Sequence, residues 1–361
     1  MVIIVLVYVS AFVSPHTMPF GVALTHHYDR VVFINTMTLT QERKQMGYDI
    51  TDARVEIRQY SEEPELCRQL IDEARDVILA GTAFHLIASR IQKGKRVFIA
   101  HERIFKKGIL KLLDPRTWKI ARFCRNVRNK PVYLLAIGEN AAKDFRFLGF
   151  EKKKIFRFGY FPAVSHYTRE QLKKEGEKTK VLWVGRFVDV KRPLMAVKAF
   201  KGLGDRFTLT MAGNGKLRKK TEAYAEKHKI CVDFLGFLSP EEVEMQMLQS
   251  HILLSTSHKG EGWGAVINEG MNRGCAVVCS KQIGCAGSLA TKENAVLYET
   301  GSIRALRKAL KEATKRQTEL GQAGYETVCN HFNAEVAAQR FAKLAENRNP
   351  DWESGVCARI F

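Results

Sequence analysis

The densest run of chemically capable side chains lies between Ser255 and Cys275, in STSHKGEGWGAVINEGMNRGC. Two carboxylates, Glu261 and Glu269, stand eight positions apart with Gly262, Trp263, Gly264, Ala265 and Val266 between them. Glycines 262 and 264 let a backbone come close to a ligand, and a helix beginning at about Gly264 would aim free amides and the positive end of its dipole at an anion. Glu261 would then lie on the entry loop and Glu269 roughly one turn into the helix. Carboxylates on either side of such a nest suit a ligand with a diphosphate in its middle and hydroxyls at both ends. A nucleotide sugar is such a ligand. Its phosphates also need fixed cations, and Arg186 and Lys191, in VGRFVDVKRP beside Gly185, are placed to supply them.

These residues must be held by a scaffold, and the pattern around them is strand then helix, repeated. Apolar runs at Val2–Ser10, Val31–Asn35, Asp76–Ala80, Arg96–Ala100 and Val132–Ile137 alternate with amphipathic stretches at Pro19–Tyr28, Pro64–Arg75, Ala83–Ile91 and Glu139–Leu148. The cycle restarts after a charged, turn-rich segment. Strands are expected at Val181–Val184, Thr208–Ala212, Val232–Leu235, Ile252–Thr256 and Ala276–Ser280. Helices are expected at Arg192–Lys201, Lys216–Lys229, Pro240–Gln249, Ala265–Asn272 and Ile303–Lys315. Such alternation predicts an α/β chain with two doubly wound parallel sheets facing across a cleft. The boundaries that follow are a first domain at 1–165, a linker at 166–180, a second domain at 181–334, and a C-terminal helix and tail at 335–361 that pack back on the first. In such sheets ligands sit beyond the carboxyl ends of the strands. That rule selects His16 and His101 in the first half, and Gly185, Arg186, Leu238 and the Ser257–Glu269 segment in the second. Gly213-Asn214-Gly215 reads as a turn that shapes backbone.

Bulk properties narrow the class. At 361 residues the chain is long enough for two cored domains. Subtracting 38 acidic from 58 basic residues gives a net charge of +20, so an anionic partner is expected. The apolar start, Met1 to Val13, is too short to span a bilayer and lacks the basic residues of a signal peptide, so it reads as a buried parallel strand. The eight Cys lack paired short spacings, and Cys275, Cys279 and Cys285 do not have the spacing of a closed zinc site. Free thiols in a cytoplasmic protein, with no metal, are the expectation. Between Arg103 and Lys130 ten Lys or Arg face one acid, Asp114, and Ile109, Leu110, Leu112, Leu113, Trp118, Ile120, Phe123 and Val127 run among them. A basic amphipathic stretch with Trp suits an anionic membrane surface.

GRFVDVKR, AGNGKLRKK, FLGFLSPEEV and EGWGAVINEGMNRGC, in this order and spacing, resemble the nucleotide-binding half of the retaining glycosyltransferases of family 4, which have the GT-B fold, and the match covers roughly residues 181–300. Glu261 and Glu269 fit the Glu-x7-Glu motif of that family. The resemblance implies that Glu269 hydrogen-bonds the donor ribose and Glu261 contacts the donor sugar near the reacting centre. Arg186 and Lys191 would neutralise the diphosphate, assisted by amides around Gly264 to Val266. His101, in KRVFIAHERIFKKG, is similar to a histidine that often stands at the sugar site. The first loop departs from the pattern, with SPHTMPFG where many members carry a Gly-Gly pair.

The function so implied is transfer of a hexose, with retention and without a metal or other cofactor, from a nucleotide-sugar donor to a glycan or lipid-linked acceptor. Surface-polysaccharide synthesis at the inner face of the cell membrane is the setting that suits it. Three other readings compete: a nucleotide-sugar-binding homologue without activity, a nucleotide-sugar epimerase, and a nucleic-acid binder. No RNA-recognition or zinc-finger pattern supports the last, so no nucleic-acid partner is expected.

Overall fold

A computed structural model describes residues 3–346 and 352–361. The chain forms two compact units, one of Met1–Ala163 with Phe332–Phe361 and one of Val164–His331.

In the first unit the strands are β1 (Val5–Ser10), β2 (Arg30–Asn35), β3 (Glu56–Gln59), β4 (Asp76–Ala80), β5 (Val97–His101), β6 (Val132–Ile137) and β7 (Ile155–Phe158). They form one parallel sheet in the order β3-β2-β1-β4-β5-β6-β7. The connecting helices are α1 (Met18–Leu24), α2 (Gln41–Arg43), α3 (Pro64–Glu73), α4 (Ala88–Gln92), α5 (Pro115–Asn126) and α6 (Glu139–Phe147). The apolar start supplies β1 in the middle of the sheet, with Val2 outside the described residues. Burial on both faces explains its unbroken apolar run. Val7 and Val9 join Cys67, Ile71, Cys124 and Phe145 in one core layer. Tyr8, on the alternate side, meets Phe20 and Phe33 in the other.

The second unit repeats the plan with β8 (Thr179–Val184), β9 (Phe207–Ala212), β10 (Val232–Gly236), β11 (Ile252–Ser255), β12 (Ala276–Ser280) and β13 (Ala295–Tyr298), in the parallel order β10-β9-β8-β11-β12-β13. Its helices are α7 (Arg169–Leu172), α8 (Pro193–Phe200), α9 (Arg218–Lys227), α10 (Pro240–Gln249), α11 (Val266–Asn272), α12 (Ile303–Lys315) and α13 (Gln317–Asn330). Pro240 and Ser239 begin α10 through a capping box with Glu242.

Residues 166–180, expected as a linker, are built into this unit. Thr168 and Gln171 cap α7 reciprocally. The Lys174 ammonium donates to the carbonyls of Leu248 (2.8 Å) and Arg273 (2.6 Å), at the ends of α10 and α11. A cation there satisfies carbonyls that have no helical partner. Strands β3, β7 and β13 and helices α5 and α13 stand where the sequence pattern gave no element.

After His331 the chain returns to the first unit, where α14 (Ala334–Ala345) packs on α1. Phe341 of α14 is fully buried, 6.0 Å from Phe20 and 4.8 Å from Phe98 between ring centres. The last residues lie along β7, Arg157 donating to the Ala358 carbonyl and Cys357 to the Arg157 carbonyl (both 2.8 Å).

At the opposite end of the first sheet from the functional loops, Asp76 is fully buried at the start of β4. Its carboxylate accepts from Tyr28 Oη (3.0 Å), Arg75 Nε (2.8 Å) and Arg96 Nε (3.0 Å). Asp76→Ala strands two guanidiniums that are 32% and 20% exposed, so the expected loss is about 2–4 kcal/mol, below that of a wholly buried pair. Urea unfolding of Asp76→Ala beside Asp76→Asn measures it, and a loss under about 1 kcal/mol in the alanine variant would show the cluster to be dispensable.

Candidate functional site

The strand order of the second sheet reverses between β8 and β11, so the loops leaving their carboxyl ends diverge and open a crevice. The loop after β8 carries Gly185, Arg186 and Lys191. The one after β11 carries Ser257, Glu261 and the glycines that lead into α11.

Thr256 joins these loops. Its hydroxyl accepts from the buried Trp183 indole (2.9 Å) and donates to the Lys191 carbonyl (2.6 Å), with the Arg192 carbonyl 3.1 Å away. The His258 amide adds a bond to the Val190 carbonyl (3.0 Å). These contacts hold Arg192 in a left-handed conformation, φ 49°, at the N-cap of α8, and so fix the direction in which Lys191 projects. Lys191 Nζ lies 2.5 Å from Glu261 Oε2, with both side chains under a fifth exposed. Ser257 Oγ donates to the same carboxylate oxygen (3.2 Å).

The β8 loop is also tied to the β9 loop. The Phe187 amide donates to the Asn214 carbonyl (2.7 Å) and the Leu217 amide to the Phe187 carbonyl (2.9 Å). At Gly213, φ +125°, a Cβ would lie 2.0 Å from the Gly185 carbonyl oxygen. Only glycine allows that approach. Phe187, fully buried between the loops, anchors the segment and leaves Arg186 exposed beside it.

Helix α11 begins at Val266, two residues after the expected Gly264, and its first turn closes on Gly264, whose carbonyl accepts from Ile267 (2.9 Å). Gly264 has φ +95°, and a Cβ there would meet Ile283 Cδ1 at 2.6 Å. Gly262 and Gly264 are buried, Ala265 and Val266 half-buried. Trp263 is 1% exposed and its indole N–H donates to Asn268 Oδ1 (2.9 Å). Its side chain therefore braces the loop from within and offers a ligand only its backbone. Glu269 is half-buried, and its carboxylate has no partner among the described residues. Leu238 is half-buried after β10, next to Phe237, which is 60% exposed.

Glu261, Lys191 and the Gly262–Val266 backbone are thus brought together, with Gly185 and Arg186 on the same loop as Lys191. The pattern did not single out Thr256 and Ser257 for these roles; two hydroxyls at the carboxyl end of a buried strand were the available signal. Cys279 lies behind the site, where burial pushes its thiol up to about 12, and it stays protonated. All eight cysteines are free. Among the described residues no group of three or more His, Cys, Asp or Glu is arranged to hold a metal.

His101 and His16 belong to the first unit. His101 is the last residue of β5, paired with Ala136, rather than the residue after the strand. Its Nδ1 lies against the Glu102 carbonyl. A carbonyl can only accept, so Nδ1 carries the hydrogen and Nε2 is left as an acceptor in the neutral ring. Glu102 accepts from Tyr160 Oη (2.8 Å) and pairs with Lys106, while Arg103 pairs with Asp144 at 3.6 Å. The His16 ring packs against Tyr48 and Tyr160, and its carbonyl accepts from Phe161 (3.1 Å).

Comparison with known proteins bears on the fold and on the second unit. Residues 166–327 match the family described as glycosyl transferases group 1. An uncharacterized glycosyltransferase of Methanocaldococcus jannaschii is 29% identical over 162 residues, which span 44% of this chain and 45% of that relative. Among solved structures, Anabaena HepE in complex with UDP superposes with TM-score 0.72 at 15% identity, over 96% of this chain and 100% of that one. The lipopolysaccharide outer core galactosyltransferase WaaB gives 0.71 at 16% over 96% and 100%. Sucrose-phosphate synthase of Thermosynechococcus elongatus gives 0.70 at 14% over 96% and 99%. The stretch that matches this family lies within the second unit, and the fold is the α/β class of GT-B proteins with two Rossmann-like domains.

Burial pulls the His101 imidazole below its ordinary 6.5. A histidine with a depressed folded value binds fewer protons folded than unfolded, so its contribution is complete above pH 6.5 and lost as pH falls toward the folded value. The wild-type melting temperature should drop between neutral pH and about pH 5, and His101→Gln should drop less. Parallel wild-type and mutant curves would remove His101 as a source of the slope.

Proposed function

We propose that this protein is a retaining glycosyltransferase that moves a hexose from a nucleotide-diphosphate sugar to a glycan or lipid-linked acceptor, in surface-polysaccharide synthesis. The observation that carries the reading is the Lys191–Glu261 pair at the strand-order reversal of a group 1 glycosyltransferase domain. Without ligand, Glu261 serves as the counterion of Lys191. A diphosphate entering the crevice takes over that role, and Lys191 and Arg186 then neutralise the charge that grows on it as the glycosidic bond breaks. The freed Glu261 carboxylate turns to the donor sugar, and Glu269 hydrogen-bonds the ribose. Amides of the Gly262–Val266 segment add to the phosphate contacts, Gly185 gives them room, and the loop at Leu238 receives the base. In the first unit, His101 Nε2 and His16 act on the sugar and acceptor side.

With front-face displacement, the acceptor hydroxyl attacks the anomeric carbon from the side the diphosphate leaves. The anomeric C–O bond to phosphate breaks, a new C–O bond forms on the same face, and the acceptor proton passes to the departing phosphate oxygen. Retention follows, and the two fixed cations take the place of a metal ion. HepE was solved with UDP and with UDP-glucose, which makes UDP-sugars the first donors to try. Thermal stabilisation across UDP-, GDP- and dTDP-sugars, then release of free nucleotide with and without acceptor, tests the reading. Binding without turnover would favour the non-catalytic homologue, and interconversion of the donor sugar without release an epimerase.

Glu269→Ala should fold normally and raise the donor dissociation constant tenfold or more, since a charge-assisted hydrogen bond is worth about 1.5–3 kcal/mol. Calorimetry giving wild-type affinity would take Glu269 out of the site.

Arg186→Ala and Lys191→Ala should lower kcat more than donor affinity, because leaving-group charge is greatest in the transition state. EDTA should leave wild-type turnover intact. Effects confined to KM, or a strict metal requirement, would overturn the role given to the two cations.

A further inference from the structure

The segment after β5 carries an exposed apolar tip that neither core uses. A tight 3₁₀ turn over Gly108–Leu113 leads through Asp114, the N-cap, into α5. Residues three apart eclipse in such a turn, and Leu110 and Leu113 are accordingly 69% and 81% exposed on one row. Trp118, one turn into α5, is 58% exposed. Its indole N–H is satisfied by the Leu112 carbonyl (2.8 Å), and the buried Thr117 hydroxyl donates to the Lys111 carbonyl (2.7 Å). The ring is therefore held against the turn with its polar atom already bonded, and what it offers outward is apolar surface. Further along the stripe, Ile120 and Val127 are buried, and Phe123 stacks on Phe84 at 3.8 Å.

The charges around this tip decide what it meets. Lys111 and Arg116 are bound to Asp114, and Lys106 to Glu102. Lys107, Lys119, Arg122 and Arg125 are exposed with no ion-pair partner among the described residues, and Trp118, Arg122 and Arg125 follow one face of α5 at helical spacing. Three large apolar side chains within unpaired cations are unfavourable in water. They match an anionic bilayer, where cations meet headgroups and the apolar tip enters the acyl boundary.

We propose that the Gly108–Asn126 hairpin is a docking element for anionic lipid, resting the first unit on a membrane surface through Leu110, Leu113 and Trp118 with Lys107, Lys119, Arg122 and Arg125. Among the described residues no helix is long and apolar enough to cross a membrane, and this element needs none. It contains no residue of the proposed donor site, so vesicle binding and sugar transfer can fail separately.

The whole chain should sediment with vesicles of two parts phosphatidylcholine to one part phosphatidylglycerol and stay in solution with phosphatidylcholine alone. Salt should release it, since screening over ~8 Å at physiological ionic strength shortens further as salt rises. Each cation near such a leaflet contributes a factor of about five, so Lys107, Lys119, Arg122 and Arg125 changed together to Gln should lower partitioning about hundredfold or more. A second variant, Leu110→Ser with Leu113→Ser, keeps the charge and should bind weakly with complete release at moderate salt. Brominated acyl chains should quench tryptophan emission in the wild type and not in Trp118→Phe. Equal binding to phosphatidylcholine, an unaltered quadruple variant with wild-type melting, or displacement of vesicles by single-stranded RNA at physiological salt would overturn the assignment.

Discussion

Reversal of strand order within a parallel sheet is the constraint from which the chemistry of this molecule descends. In each unit the strands run 3-2-1 to one side and 4 onward to the other. Right-handed crossovers then place helices on opposite faces to either side of the reversal, and the loops beyond those two strands must part. In the second unit that parting lies between β8 and β11, and Lys191 and Glu261 approach it from opposite sides. The positions are dictated by topology before any side chain is chosen.

What the side chains add is stiffness. A cation and a carboxylate largely withdrawn from water stabilise one another only when both are held in place. Here the holding is done by the Thr256 hydroxyl and the His258 amide, by Ser257, and by the glycine that lets the β9 loop lie against Gly185. Lys191 is thus built with its own counterion in place, and under the proposed function an anionic donor would compete with Glu261 for it rather than enter an empty pocket of positive charge.

The interior strands were legible because burial on both faces forces an unbroken apolar run. Asp76–Ala80, Val132–Ile137 and Ala276–Ser280 fall where such runs predict them. Three strands that escaped notice, β3, β7 and β13, all lie at sheet edges. An edge strand tolerates charge: β3 reads EIRQ with every residue half-buried, while β7, which follows Lys152–Lys154, has its outer edge covered by residues 357–360. Helix α5 was hidden for a related reason, because Arg116, Lys119, Arg122 and Arg125 are interleaved with the side chains that reach the core, Thr117, Ile120, Ala121 and Cys124. In the crevice, Glu261 was readable from its place beside the glycines, and the structure sets it against Lys191. Thr256 was not, since a hydroxyl at a strand end looks the same whether it holds a loop or only faces solvent, and Ser257 was readable only as the start of a candidate segment. Trp263 stood in a ligand-facing stretch of sequence and turned inward, because its indole found Asn268 one turn along α11.

The return of residues 332–361 to the first unit sets an order on assembly during translation. Residues 164–331 are contiguous, and the whole second core is available once that stretch has left the ribosome. The first sheet is synthesised earlier but lacks a wall until the end of the chain emerges, because Ala337, Ala338 and Phe341 of α14 are buried there. Until then Phe20 and Phe98 have no Phe341 to pack against. The half made first is thus completed last, and a nascent chain that has emerged only as far as residue 331 holds one finished domain and one with an open apolar face, the state in which aggregation or chaperone capture competes with folding.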